Sequence, residues 1–197
     1  MAVLQAQGGP AQAPTVRRVA STAVLAAQEY RSGIRNGRVV APAEVEEAKL
    51  FLSEARRSAG LLPADGNQAV IASIDSLLGL VGATALPDSL DARVQRFTAA
   101  LASRFGVSLV DVPATAPSLA RGAKVYQENC AGCHGSAGRG DGPLAAGLEP
   151  KPANLTDAAA LSGASPLDFY RRIAIGVAGT AMPAFETRLS AQDRWAA

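Results

Sequence analysis

From Val16 onward the chain repeats apolar residues at helical spacing. Val16, Val19, Ala23, Ala26 and Tyr30 recur every three or four positions and predict an amphipathic helix. It ends at "RNGR", residues 35–38, because Asn36-Gly37 is a strong turn signal. Pro42 suits the first turn of a second helix, and Glu44, Glu46 and Glu47 sit where the helix dipole favours acids. Val45, Phe51, Leu52 and Ala55 give that helix its apolar side, and Gly60 stops it. A third helix is expected from near Asn67, with Val70, Ile71, Ile74, Leu77, Leu78 and Val81 on one side. Pro87-Asp88 opens a fourth, built on Leu90, Val94, Phe97, Leu101 and Phe105. Four amphipathic helices joined by short loops are the pattern of a small bundle over residues 16–105.

The flanks differ. Residues 1–15 carry Gln, Gly and Pro with little to bury, and are expected to be disordered. Residues 106–117 hold two prolines and no clear period, and read as a linker. From residue 118 the texture changes. A short helix is followed by a Gly/Pro-rich loop at 135–155. A helix is then expected near 165–176, with Ser165 as its N-cap and Pro166 at its first position. A second loop, "VAGTAMPAF", precedes the opening of another helix at "SAQDRWAA". A stretch of about 80 residues with this much loop cannot bury a large core alone, so something else must fill its interior.

Composition narrows the classes. The chain is 48% hydrophobic and only 5% aromatic, which favours helices over aromatic sheet cores. A net charge of +2, from 19 basic and 17 acidic residues, excludes nucleic acid as the expected partner. No secretory signal is legible at the start. The longest apolar window, residues 69–86, is interrupted by Asp75 and falls short of the roughly 20 residues a membrane span needs. It reads as a buried helix, and the chain as soluble as given.

The chemistry concentrates in "NCAGCHG". Both cysteines of the chain, Cys130 and Cys133, and its one histidine, His134, fall within five residues. Cys-x-x-Cys-His is the attachment signature of c-type haem. Two intervening residues let one turn present both sulfurs to the vinyl groups on one haem edge, and the next residue brings an imidazole to the iron. A redox disulfide needs a strand-to-helix setting, and no strand is evident. A closed zinc site needs a second pair of ligands, which the chain lacks. A structural disulfide in so tight a loop gains little. Downstream of His134, Met182 is the one methionine, on a loop before Pro183. Its thioether is the candidate opposite ligand, a pairing that raises the reduction potential. The bland alternative is core filler.

These residues carry a resemblance. Residues 118–197 are similar to class I c-type cytochromes through "GAKVYQENCAGCHG", "GRGDGPLA" and "IAIGVAGTAMPAF". The resemblance implies a small all-α wrap around one haem c, with Cys130 and Cys133 as thioether anchors, His134 as proximal ligand and Met182 as distal ligand. It also implies that Gly122 and Tyr126 lie where the first helix crosses the last, and that a C-terminal helix is cut short at residue 197. A carbonyl near Pro143 is the expected acceptor for the other ring N–H of His134. Arg139, Lys151, Asn154 and Arg172 are candidate donors to the haem propionates. Each is otherwise an ordinary solvated side chain. The front half, from "AAQEYRSGIRNGRVV" to about residue 105, resembles the helical extracytoplasmic region of cytochrome-fused bacterial iron permeases. The permease's membrane helices and paired-glutamate motifs are absent, so a membrane enters only if a permease domain follows. Glu29, Glu44, Glu46, Glu47 and Glu54 are candidate metal contacts, against the simpler expectation of a solvated helix face.

The expectation is thus an all-α protein: a helical bundle, then a monohaem cytochrome c domain. Its expected role is one-electron transfer in the periplasm or at another extracytoplasmic face, as an electron carrier and not an enzyme, unless the chain is part of a larger permease or oxidoreductase. The expected partner is a redox protein that docks at the haem edge through a small, transient contact. If the permease resemblance holds, the electron serves iron uptake. One rival is a haem peroxidase or small-ligand sensor, which needs an open iron site. Another is an iron-binding module in which the haem is accessory.

Overall fold

The computed structural model of the protein describes residues 10–109, 111–161 and 163–197. The chain divides into two compact units, Met1–Val110 and Asp111–Ala197. The division falls inside the proline-containing stretch 106–117.

The first unit is a bundle of α1 (Ala13–Gly33), α2 (Pro42–Ala59), α3 (Ala64–Gly82) and α4 (Pro87–Phe105). α1 packs on α2 and α4, and α3 packs on the same two, so the four close into a ring. The apolar series of α1, α2 and α4 is buried at every position named from the sequence. On α3, Val70, Ile74, Leu77 and Val81 are buried, while Ile71 and Leu78 are half-buried. α1 and α2 also bury alanines, among them Ala20, Ala23, Ala48 and Ala55, and such small side chains let two helices approach closely. The Tyr30 hydroxyl donates to the Ala85 carbonyl at 2.6 Å and ties α1 to the α3–α4 loop.

Three local features depart from expectation. Residues 10–15 are helical and not disordered: Pro10–Gln12 form a 3-10 turn and α1 starts at Ala13. Pro14 sits in the first turn, where its missing N–H costs nothing. Residues 1–9 of that expectation lie outside the described residues. α3 starts at Ala64, ahead of Asn67, directly after Pro63. A two-stranded hairpin, β1 (Ile34–Arg35) and β2 (Arg38–Val39), flanks the Asn36-Gly37 turn. Both turn residues have positive φ, 52° and 71°, as a two-residue hairpin loop requires. Two-residue strands leave no alternation to detect.

Glu54 cross-links the bundle. Its carboxylate accepts from Arg18 Nη2 at 3.2 Å and from Arg57 Nε at 3.0 Å. Burial pushes the Glu54 carboxyl up, but the Arg57 and Arg18 guanidiniums outweigh burial and hold it below its ordinary value. A depressed folded pKa contributes stability above the unfolded value, and the contribution fades as pH falls through the folded one. Replacing Glu54 with Gln is therefore expected to cost about 1 kcal/mol at neutral pH. The variant also loses less stability than the parent on acidification. Thermal unfolding across an acid pH series measures both.

The second unit has five helices among the described residues: α5 (Leu119–Asn129), α6 (Ala131–His134), α7 (Ala158–Leu161), α8 (Pro166–Ile175) and α9 (Ala191–Ala196). Side-chain caps start three of them. Ser118 accepts from Arg121 N–H, Ser165 forms a capping box with Asp168, and Ser190 accepts from Asp193 N–H. α5 packs on α9, and α9 on α8. Trp195 stacks on Tyr170 with centroids 4.4 Å apart, and Arg194 Nη2 donates to the Tyr170 hydroxyl at 3.0 Å. The described apolar core of this unit is small: Val125, Ala145, Tyr170, Ala174, Ile175 and Phe185. None of the most deeply buried large side chains lies in it; all belong to the bundle.

Candidate haem-binding site

α6 is a single turn that follows directly on α5. The N–H groups of Cys133 and His134 both donate to the Cys130 carbonyl, at 3.1 and 2.9 Å. This turn sets Cys130 and Cys133 three residues apart on one side. Both are free thiols at intermediate burial. Burial, and then the neighbouring Cys133, push the Cys130 thiol up.

The loop after α6 folds back onto it. Gly140 N–H donates to the His134 carbonyl at 2.8 Å, Gly142 N–H to Cys133 at 3.1 Å, and Leu144 N–H to Gly132 at 2.8 Å. The Tyr126 hydroxyl donates to the Gly135 carbonyl at 2.7 Å and links α5 to the same turn. Leu155 N–H bonds the Gly138 carbonyl at 2.7 Å, which brings residues 152–155 alongside.

That return positions the imidazole. His134 Nδ1 lies 3.1 Å from the Ala153 carbonyl. A carbonyl can only accept, so Nδ1 is the donor of this bond, which leaves Nε2 as the ring nitrogen open to a metal. The acceptor is thus Ala153 and not a carbonyl near Pro143. Pro143 is exposed and lines a shallow depression with Ala131, Gly132 and Asp141. The 140–142 segment is spent on the carbonyls of α6 itself, and the chain reaches the ring only one turn of loop later.

Met182 is half-buried on the loop between α8 and α9. Its carbonyl accepts from Val177 N–H at 3.3 Å, closing the loop. Gly176 makes this possible. Its φ is +76°, and an added Cβ would stand 2.8 Å from the Met182 carbonyl oxygen. Beyond Met182 the chain is pinned back on α8, with Phe185 N–H donating to Ile173 and Ala174 carbonyls.

The proposed propionate donors fare unequally. Asn154 spends its side-chain oxygen on Thr156, accepting from its N–H at 2.9 Å and its hydroxyl at 2.7 Å. Arg139 and Lys151 are exposed, and Arg172 is half-buried on α8. In the bundle, Glu46 pairs with Lys49 and Glu54 with two arginines, which occupies both. Glu29, Glu44 and Glu47 come together, each with a carboxylate oxygen within 4.8 Å of the others. Glu29 is only 8% exposed, so a solvated helix face does not describe it. The Ala153 acceptor and the Gly176 approach escaped the sequence; the glycines of 135–142 were the available sign that backbone would crowd the motif.

The donor set fits haem c. Two free thiols lie one turn apart, an imidazole is held in the metal-binding tautomer, and the unit lacks interior. Phe169 and Ile173, a turn apart on α8, stay half-exposed, as do Leu155 and Leu161. Large apolar side chains left so are surface that a flat apolar ligand would cover.

An all-α unit with this motif is a c-type cytochrome domain. Residues 117–197 match the family of cbb3-type cytochrome c oxidase subunit III. Residues 11–106 match the iron permease-associated 4-helix bundle domain. The chain is thus a helical bundle, similar to the iron permease-associated 4-helix bundle domain, followed by a cytochrome c domain. It is 40% identical over 70 residues to the cbb3-type cytochrome c oxidase subunit FixP of Bradyrhizobium diazoefficiens, covering 36% of this chain. The match spans only about a fifth of that relative, 22% of its length. It is also similar to a chain of the reducing HAO-like protein complex of Kuenenia stuttgartiensis, at 33% identity over 56% of each chain, with a TM-score of 0.38. No helix among the described residues is long and apolar enough to cross a membrane.

Proposed function

We propose that the protein is a one-electron carrier holding a single haem c with His134 and Met182 as axial ligands. The observation that carries this is the 3.1 Å contact of His134 Nδ1 with the Ala153 carbonyl, beside two free thiols. Haem c, when bound, supplies the Fe(III)/Fe(II) couple. The chain's own residues do the rest. Cys130 and Cys133 would hold the group through thioether bonds, each S–H adding across one vinyl double bond with nothing lost. The Ala153 carbonyl orients the imidazole and raises its basicity as a ligand. Met182 would supply the second protein ligand to the iron, and a six-ligand iron would offer no position to a substrate, which separates a carrier from a peroxidase or a sensor. Ferric protein with a low-spin spectrum and the weak long-wavelength sulfur-to-iron band, unresponsive to carbon monoxide when reduced, supports the carrier. A high-spin spectrum that shifts with carbon monoxide or peroxide supports the rival.

The resemblance of both units to extracytoplasmic domains supports a working location in the periplasm or at another extracytoplasmic face. The partner is a redox protein meeting the haem edge. The match of residues 11–106 supports a finer role, electron exchange in iron uptake. Mixing the haem-loaded protein with ferrous or ferric ion tests this role. Reduction by ferrous or oxidation by ferric ion supports it, and inertness to both contradicts it.

A further inference from the structure

The loop that presents Met182 has its own internal brace. Thr180 Oγ1 accepts from Met182 N–H at 3.1 Å and donates to the Val177 carbonyl at 2.9 Å. Thr180 N–H donates to the same carbonyl at 3.2 Å, and Val177 N–H donates to the Met182 carbonyl at 3.3 Å. One hydroxyl therefore spans the loop, using its donor and an acceptor at once. Residues 176–182 form no helix or strand, so nothing else of regular structure fixes the Met182 backbone.

We infer that Thr180 is a positioning residue for Met182: its hydroxyl holds the thioether in place for the iron. The inference rests on the proposed axial role of Met182 and adds what sets the strength of that ligation. A methionine on a braced loop stays bound because little conformational freedom is lost each time it ligates. Without the hydroxyl, Met182 N–H and the Val177 carbonyl both lose a partner. The loop samples more conformations, and the ligand-off state gains population.

The test compares Thr180→Val with Thr180→Ser in haem-loaded protein, reading the sulfur-to-iron band and the binding of imidazole to the ferric form. Imidazole competes with Met182, so its apparent affinity rises with the ligand-off fraction. Val keeps the shape and removes the hydroxyl; Ser keeps the hydroxyl and removes a methyl. Losing two hydrogen bonds of ordinary net strength predicts about a tenfold gain in imidazole affinity for Thr180→Val, with a weaker band. Thr180→Ser is expected to match the parent. A Thr180→Val protein with the parental band and imidazole affinity overturns the inference alone. A parent protein that lacks the band overturns the Met182 assignment, and this inference with it.

Discussion

Replacing both Cys130 and Cys133 with Ser is expected to give a colourless protein whose second unit does not fold, while its first unit does. The reason lies in where the interior sits. The bundle buries Tyr30, Phe51, Leu25, Leu52, Ile74, Leu77 and Leu90 almost completely. The cytochrome unit buries six apolar side chains among its described residues, none of them as deeply. At roughly 25 cal/mol per Å² of apolar area, so few side chains fall short of the ordering entropy of more than 80 residues. A covalently held porphyrin makes up the difference, because folding buries its apolar faces inside the unit and side-chain ligation of its iron adds to the folded state. The double variant should lose the helix signal of α5 to α9 and become protease-sensitive beyond residue 111. A variant that keeps this signal without haem would show that the polypeptide suffices.

The second large effect is expected at Gly122, in the middle of α5. A Cβ there would stand 1.9 Å from the Ala196 carbonyl oxygen and 2.8 Å from its carbon. These are backbone atoms of α9, which no rotamer change can move. Gly122→Val must separate the two helices. That is expected to cost about 3 kcal/mol, at the upper end of overpacking effects. The neighbouring Ala123 is exposed, and Ala123→Val should cost well under half as much. Thermal unfolding of both haem-loaded variants gives the comparison. Equal losses would mean that helix propensity, and not the crossing, sets the cost.

Much of the fold was legible because its signals are local. The heptad-like series of α1 and α4 reads directly as burial, since a helix buried on one side must repeat its apolar residues at that spacing. Ser165 and Pro166 announce α8 through capping chemistry that acts within four residues. The Cys-x-x-Cys-His run names its cofactor because the haem edge itself fixes the spacing. What the sequence does not show depends on distant segments. The Ala153 acceptor lies 19 residues from His134, and the Gly138–Leu155 bond and the close approach of Gly140 to Pro152 bring it there. Glu54 and Glu29 looked alike as acids on amphipathic helices. Which one meets two arginines and which joins Glu44 and Glu47 is decided by how α1 and α2 face each other. The Arg35–Arg38 ladder is too short for any periodicity.

The most direct test of the account is the intact mass of denatured protein from a host able to attach haem. One haem is expected to stay with the chain through denaturation, with peptide fragments placing it on Cys130 and Cys133 and leaving neither thiol open to alkylation. An unmodified mass with both thiols alkylated would contradict the account at its root.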